Sequence, residues 1–362
     1  MKLILPDLGN KEIELIAEVF ESGVLTNDKM VSNFESAVAL YTGVKHAVGV
    51  SSGTAALHLA FVSSGIGKGD EVIVPAFCFV GSVNTLMYLQ ARPVAVDINI
   101  NTLNIDIREL EMAITPKTKA ILAVDLFGVP VEIDKIRELA DKNNLILIED
   151  ASYAFGSRYN SMHCGSQADV AVLSFNERRI ITSAEGGMLL TNDETIAEKA
   201  RLLRNHAMQR DDKHKAAKFE YVGYNYRMSE VHAAIGLGQM GKIDNIIEQK
   251  RRLGKEYTKL LESVPNVTPQ REPQGCCQNY HNYVIKLDVN IDVDALKKRL
   301  EEREITTTIG TYCVHYQPMY NIKGKFPVAE YAYEYGISLP INSKMTIENV
   351  QYICEIIERF VS

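Results

Sequence analysis

No basic block runs through this chain of 362 residues: its 39 lysines and arginines are scattered and outnumbered by 46 acidic residues, for a net charge of −7. That balance argues against nucleic acid and against electrostatic membrane association, and it means that any phosphate site must be local. No apolar run approaches the roughly 20 residues of a membrane span. The short apolar start is broken by Pro6 and Asp7 before it reaches the length of a signal sequence. Six cysteines (Cys78, Cys164, Cys276, Cys277, Cys313 and Cys354) form neither CxxC pairs nor a disulfide-dense framework, so they read as reduced thiols in a cytoplasmic protein. Low-complexity tracts and repeats of about 20–50 residues are also missing.

What is present is an alternation. Hydrophobic residues make up 46% and charged residues 23%, ordinary values for a globular chain with one large and one smaller domain. Apolar runs at 46–50, 71–74, 93–96, 120–124, 145–148 and 170–173 read as strands, separated by stretches of helical spacing such as 55–64, 81–89, 106–114 and 132–143. This predicts an α/β fold with a mostly parallel sheet flanked by helices over residues 1–245. A long charged helix from Ile243 to Ser263 leads into a second, smaller α+β domain over 246–362, with strands expected at Tyr280–Leu287 and Thr306–Ile309 and helices at Val293–Arg303 and Ile347–Phe360. The polar stretch Asp211–Phe219 reads as a loop.

Several residues fall where an α/β sheet places its chemistry. Ser51-Ser52-Gly53-Thr54-Ala55 joins a strand to a helix, and the helix's first amides suit an anion, although an ordinary Gly/Ser helix start reads the same way. Phe79 follows a strand and is either a ring-stacking face or a core aromatic. Asp150 ends the strand 145–150, at the edge where ligands bind in open sheets, and is either an anion for a cationic partner or a helix N-cap. Ser174 ends the next strand at the same edge.

The wording of these segments resembles one family. "EDASYAFGSRYNSMHCGSQADVAVLSFNERRIITSAEGGMLLTND", "VSSGTAALHLA", "PAFCF", "GYNYRM", "HYQP" and "ISLPINSKMTIENV" are similar to the DegT/DnrJ/EryC1/StrS nucleotide-sugar aminotransferases, from Leu5 to Phe360. The resemblance implies an aspartate-aminotransferase-like fold of type I with a seven-stranded sheet, and pyridoxal phosphate (PLP) or its amine form (PMP) as cofactor. It implies that Gly53, Thr54, Ala55 and Ser174 hold the phosphate, Phe79 stacks on the ring, Asp150 pairs with the pyridinium nitrogen and Tyr153 lies near the ring hydroxyl. Asn225 would cross to the partner's cofactor in a homodimer with shared active sites, or else only cap the following helix. Thr26, Tyr221 and His315 would stand on the substrate side. The branch resembled makes 4-amino sugars from UDP-linked 4-keto-6-deoxy-N-acetyl sugars, with L-glutamate as donor.

One position departs from that pattern. The family's Schiff-base lysine falls five residues after the serine, and this chain has Arg179 there, with no lysine between Lys142 and Lys199. Together with Asp150, Arg179 is the expected catalytic position, yet a guanidinium holds its proton too firmly to link to a carbonyl or to shuttle protons. Three readings follow: an aminotransferase holding PLP or PMP non-covalently with impaired turnover, a PMP-dependent sugar dehydratase, and a cofactor-binding non-catalytic homologue or partner subunit.

Overall fold

A computed structural model describes residues 1–26, 28–211 and 216–362. Its centre is a seven-stranded sheet of β1 (His46–Val50), β2 (Glu71–Pro75), β3 (Arg92–Val96), β4 (Thr118–Val124), β5 (Ile146–Asp150), β6 (Val170–Ser174) and β7 (Gly187–Thr191). Across the sheet the order is β1-β7-β6-β5-β4-β2-β3. All strands run parallel except β7, which is antiparallel to both β1 and β6. Helices on both faces bury the sheet, which is why its strands are nearly continuous apolar runs rather than alternating ones. Helix Gly53–Ser63 is apolar on almost every side because it is buried among β6, β7 and neighbouring helices.

The reversal at β7 aligns three chain ends. Gly187 is opposite both Val50 of β1 and Ser174 of β6, while Asp150 of β5 lies opposite Val172. The strand-to-helix turn after β1 and the carboxyl ends of β5 and β6 therefore meet at one edge. The sequence pattern had shown only a glycine loop where β7 begins.

A second core forms around a three-stranded antiparallel sheet of Val267–Thr268, Tyr283–Leu287 and Gly336–Leu339, covered by helices Ile243–Leu261 and Ile347–Val361. Tyr257 and Tyr283 stack at its centre, 4.7 Å between ring centroids. The strand expected at Thr306–Ile309 is absent; Thr308 makes one isolated bridge to Ser338. The third strand is instead Gly336–Leu339, fully buried, whereas Thr306 is exposed. Burial decided between two short candidates. Helix Pro327–Tyr335, with proline at its start, precedes that strand and was not foreseen. The expected loop at Asp211–Phe219 is also corrected: Met208–Asp211 pairs with Ala216–Phe219 as an antiparallel ladder, and 212–215 lie outside the described residues.

Main-chain pairing draws a late segment of the chain into the first core, and a buried lysine ties the long helix to the second. Tyr312–Cys313 pairs antiparallel with Phe77–Cys78, and the Val314 amide donates to the Ala76 carbonyl at 2.9 Å. Lys250, buried on the long helix, donates to the carbonyls of His281 (3.0 Å) and Ile341 (2.8 Å). No helix among the described residues is long and apolar enough to cross a membrane.

Candidate active site

At the shared sheet edge lies a cleft of about 460 Å³. Its lining includes Gly53, Thr54, Phe79, Asp150, Tyr153, Ser174 and Arg179, so the structure brings most of the sequence-predicted residues together.

The helix start is built to receive an anion. Ser52 caps it, its hydroxyl accepting the Ala55 amide at 3.1 Å, and Ala56 donates to the Ser52 carbonyl. Among the described residues the amides of Gly53 and Thr54 have no partner. Ala55, expected to contribute with Gly53 and Thr54, is buried with its amide already used, so the amides on offer are those of Gly53 and Thr54. Two glycines make room. A Cβ on Gly53 would stand 2.7 Å from Ser174 Cβ, and one on Gly187 would stand 2.3 Å from the Ser52 carbonyl oxygen.

Asp150 is 3% exposed, and a turn rather than a helix follows it. Its Oδ2 accepts from Ser82 Oγ at 2.8 Å and its Oδ1 from the Ser152 amide at 3.1 Å. Both bonds fix the direction of the carboxyl group. Ser82 was not singled out by the sequence, since nothing local links it to a residue 68 positions later. Phe79 begins the helix carrying Ser82 and is 42% exposed, which excludes a core role; its ring lies 6.4 Å from that of Tyr312.

Across the cleft, the guanidinium of Arg179 lies over the Tyr153 ring, 4.1 Å from its centroid. Burial pushes the Tyr153 phenol up, with the Arg179 charge opposing. His281 meets the Tyr153 ring edge-on at 4.9 Å. Burial, and then the charges of Arg179 and Lys250, push its imidazole well below the usual range, so it is neutral. Asn279 fixes the turn beneath by donating to the carbonyls of Tyr153 (2.9 Å) and Phe155 (3.0 Å). These residues of the second core were missed because the run Asn279-Tyr280-His281-Asn282 reads as an ordinary polar strand start; its complete burial was the only signal.

Four predicted residues are not brought to the cleft within one chain. Thr26 is exposed and bridges to Ser229, Tyr221 is 62% exposed, and Asn225 is exposed and bridges to Asn205. His315 packs between Tyr316 and Phe326 with Glu330 at 3.3 Å, and burial lowers its basicity.

The arrangement offers free amides for a phosphate, an exposed aromatic face and a fixed carboxylate for a cationic ring nitrogen, and it fits a phosphorylated pyridine. Residues 6–358 match the DegT/DnrJ/EryC1/StrS aminotransferase family. The chain belongs to that family. The DegT/DnrJ/EryC1/StrS aminotransferases are PLP-dependent, and their type I fold is the one described above. Over 359 residues the chain is 36% identical to a GDP-perosamine synthase of Escherichia coli O157:H7, covering 99% of this chain and 97% of that protein. Among solved structures it is similar to the aminotransferase TlmJ of Streptoalloteichus hindustanus, with TM-score 0.95, 29% identity, and 99% and 98% of the two chains covered. It is likewise similar to PseC of Helicobacter pylori, an aminotransferase involved in the biosynthesis of pseudoaminic acid, with TM-score 0.94, 29% identity and the same coverage.

Proposed function

We propose that this protein is an aminotransferase scaffold for a nucleotide-linked 4-keto-6-deoxy sugar, with L-glutamate as amino donor and with PLP or PMP held non-covalently. The observation carrying this reading is the fixed Asp150 carboxylate facing the same cleft as the unpartnered Gly53 and Thr54 amides. In it, those amides and Ser174 hold the cofactor phosphate, Phe79 covers the ring and Asp150 keeps the ring nitrogen protonated. Bound there, the cofactor supplies an electron sink. The chain's own contribution is to orient that ring and to exclude water beneath it through Tyr153 and His281. The synthase relative supports a sugar nucleotide as substrate, and its name favours a GDP-linked one over the UDP-linked one expected from the sequence. The same proposal includes a cytoplasmic homodimer, with Asn225, Thr26 and Tyr221 completing the partner's site, and a division into domains at 245/246.

Arg179 occupies the position where family members carry lysine, so proton transfer at the cofactor lacks its usual agent. The test is Arg179→Lys, supplied with PLP, L-glutamate and UDP- or GDP-linked 4-keto-6-deoxy sugar, with the amino sugar detected by mass spectrometry. The variant is expected to form a covalent lysine–cofactor bond and to transfer the amino group at least about 10²-fold faster, the usual scale of positioned acid–base catalysis. A folded, cofactor-loaded variant that stays silent favours the non-catalytic homologue. One that does not take up PLP at all removes the cofactor assignment.

A further inference from the structure

Among the described residues, the cleft contains a cation without a counter-ion. Arg179 lies in the turn after β6, its amide donating to the Asn176 carbonyl at 2.9 Å, so its backbone is fixed before the side chain begins. The guanidinium is held by the Tyr153 ring at 4.1 Å, and its Nε is sealed from solvent with no hydrogen-bond partner. Among the described residues no carboxylate lies within salt-bridge distance of it.

The acids nearby are otherwise engaged. Asp150 accepts from Ser82 and Ser152, and Glu185 accepts from the Asn176 side chain at 2.7 Å. Glu177 is exposed to solvent at the cleft mouth. Tyr153 and His281, which pack around the cation, carry no negative charge. A half-buried guanidinium in neutral surroundings loses hydration without recovering it from a partner. Its flat fork matches one group in particular, a carboxylate bound through two parallel hydrogen bonds.

We propose that Arg179 is an anion receptor that binds a carboxylate of the amino donor. This rests on the aminotransferase reading above and deepens it: the residue where the family has its lysine recognises the donor acid instead of linking to the cofactor. A competing source of the same chemistry is the cofactor's own ring oxygen, whereas the cofactor phosphate is drawn to the Gly53 and Thr54 amides on another wall.

The experiment uses the full-length protein without sugar nucleotide. L-Glutamate and glutarate, which has two carboxylates and no amine, are titrated by calorimetry into wild type, Arg179→Gln and Arg179→Lys, with circular dichroism confirming the fold of each. The arginine Nε–H resonance is followed by NMR in the wild type. Both acids are expected to bind wild type and to shift that resonance. Arg179→Gln should bind them at least tenfold more weakly, and Arg179→Lys, stripped of cofactor so that its amine is free, should recover part of the loss, since a point charge replaces a fork. Glutarate affinity in Arg179→Gln within twofold of wild type overturns the proposal. So does a variant that loses affinity for pyridoxal 5′-phosphate alone, because the guanidinium would then read the ring oxygen. The outcome is independent of turnover: loss of glutarate binding beside an inactive Arg179→Lys removes only the aminotransferase reading, and retained binding beside an active one removes only this inference.

Discussion

Glu149 and Asp125 lie side by side in the sealed interior with the Cys164 thiol against them, and among the described residues one oxygen of each carboxyl group has no hydrogen-bonded backbone or polar partner. Their other oxygens are satisfied, Glu149 by the Gly165 amide and Asp125 by the Val131 amide, both at 2.8 Å. Two buried carboxyl groups this close resist ionising together, so the pair keeps a proton. Burial raises both acids, Asp125 to about 6 and Glu149 well above its ordinary value.

The consequence is a pH dependence of folding. Because the folded pKa values lie above the unfolded ones, the folded chain holds the extra proton, and stability is lost as pH rises from the ordinary carboxylate range through about 6 for Asp125 and through the raised range of Glu149. Glu149→Gln, whose amide stands in for the protonated acid, is expected to flatten that decline, a difference of roughly 1–3 kcal/mol. Chemical denaturation at a series of pH values measures it. Parallel wild-type and variant curves would show that no proton is shared.

Lys250 gives the opposite sign in another window. Burial depresses it from 10.5 to about 7, so the unfolded chain binds the additional proton between these values and stability rises with pH across them. Lys250→Met is expected to remove this rise, worth up to about 5 kcal/mol, while leaving the His281 and Ile341 carbonyls without their donor. The difference between the two denaturation curves from pH 7 to 10 reads the effect directly; a constant difference would mean that the lysine stays charged throughout.

Gly53→Ala tests the cradle. The new Cβ would meet Ser174 at 2.7 Å, and relief must come from backbone on one side or the other. Affinity for pyridoxal 5′-phosphate should fall at least tenfold, or about 1.4 kcal/mol. Unchanged affinity in fluorescence titration would place the phosphate elsewhere.

How much of this could be read in the sequence follows from how local each signal is. Strands buried on both faces announced themselves as apolar runs, so the six parallel strands and the carboxylate ending one of them were legible. Gly336–Leu339 was not, because a short run before a proline becomes a strand only through its pairing with Tyr283–Lys286, some 50 residues away. The site divides likewise. Gly53, Phe79, Asp150 and Ser174 follow strand ends, a position visible in one dimension. Ser82 and His281 enter from other segments, and only the closed fold shows that one orients Asp150 and the other supports Tyr153.

The ladder joining Tyr312–Cys313 to Phe77–Cys78 gives the cleft a clasp drawn from late in the chain. Cys78 is bonded through its main chain to Tyr312, whose neighbours Cys313 and Val314 pack in the core of the large sheet, and it is covalently next to Phe79, so this late segment helps to fix the aromatic facing the cleft. Substitutions that loosen the clasp, touching nothing in the cleft, thereby retune how tightly a ring is gripped.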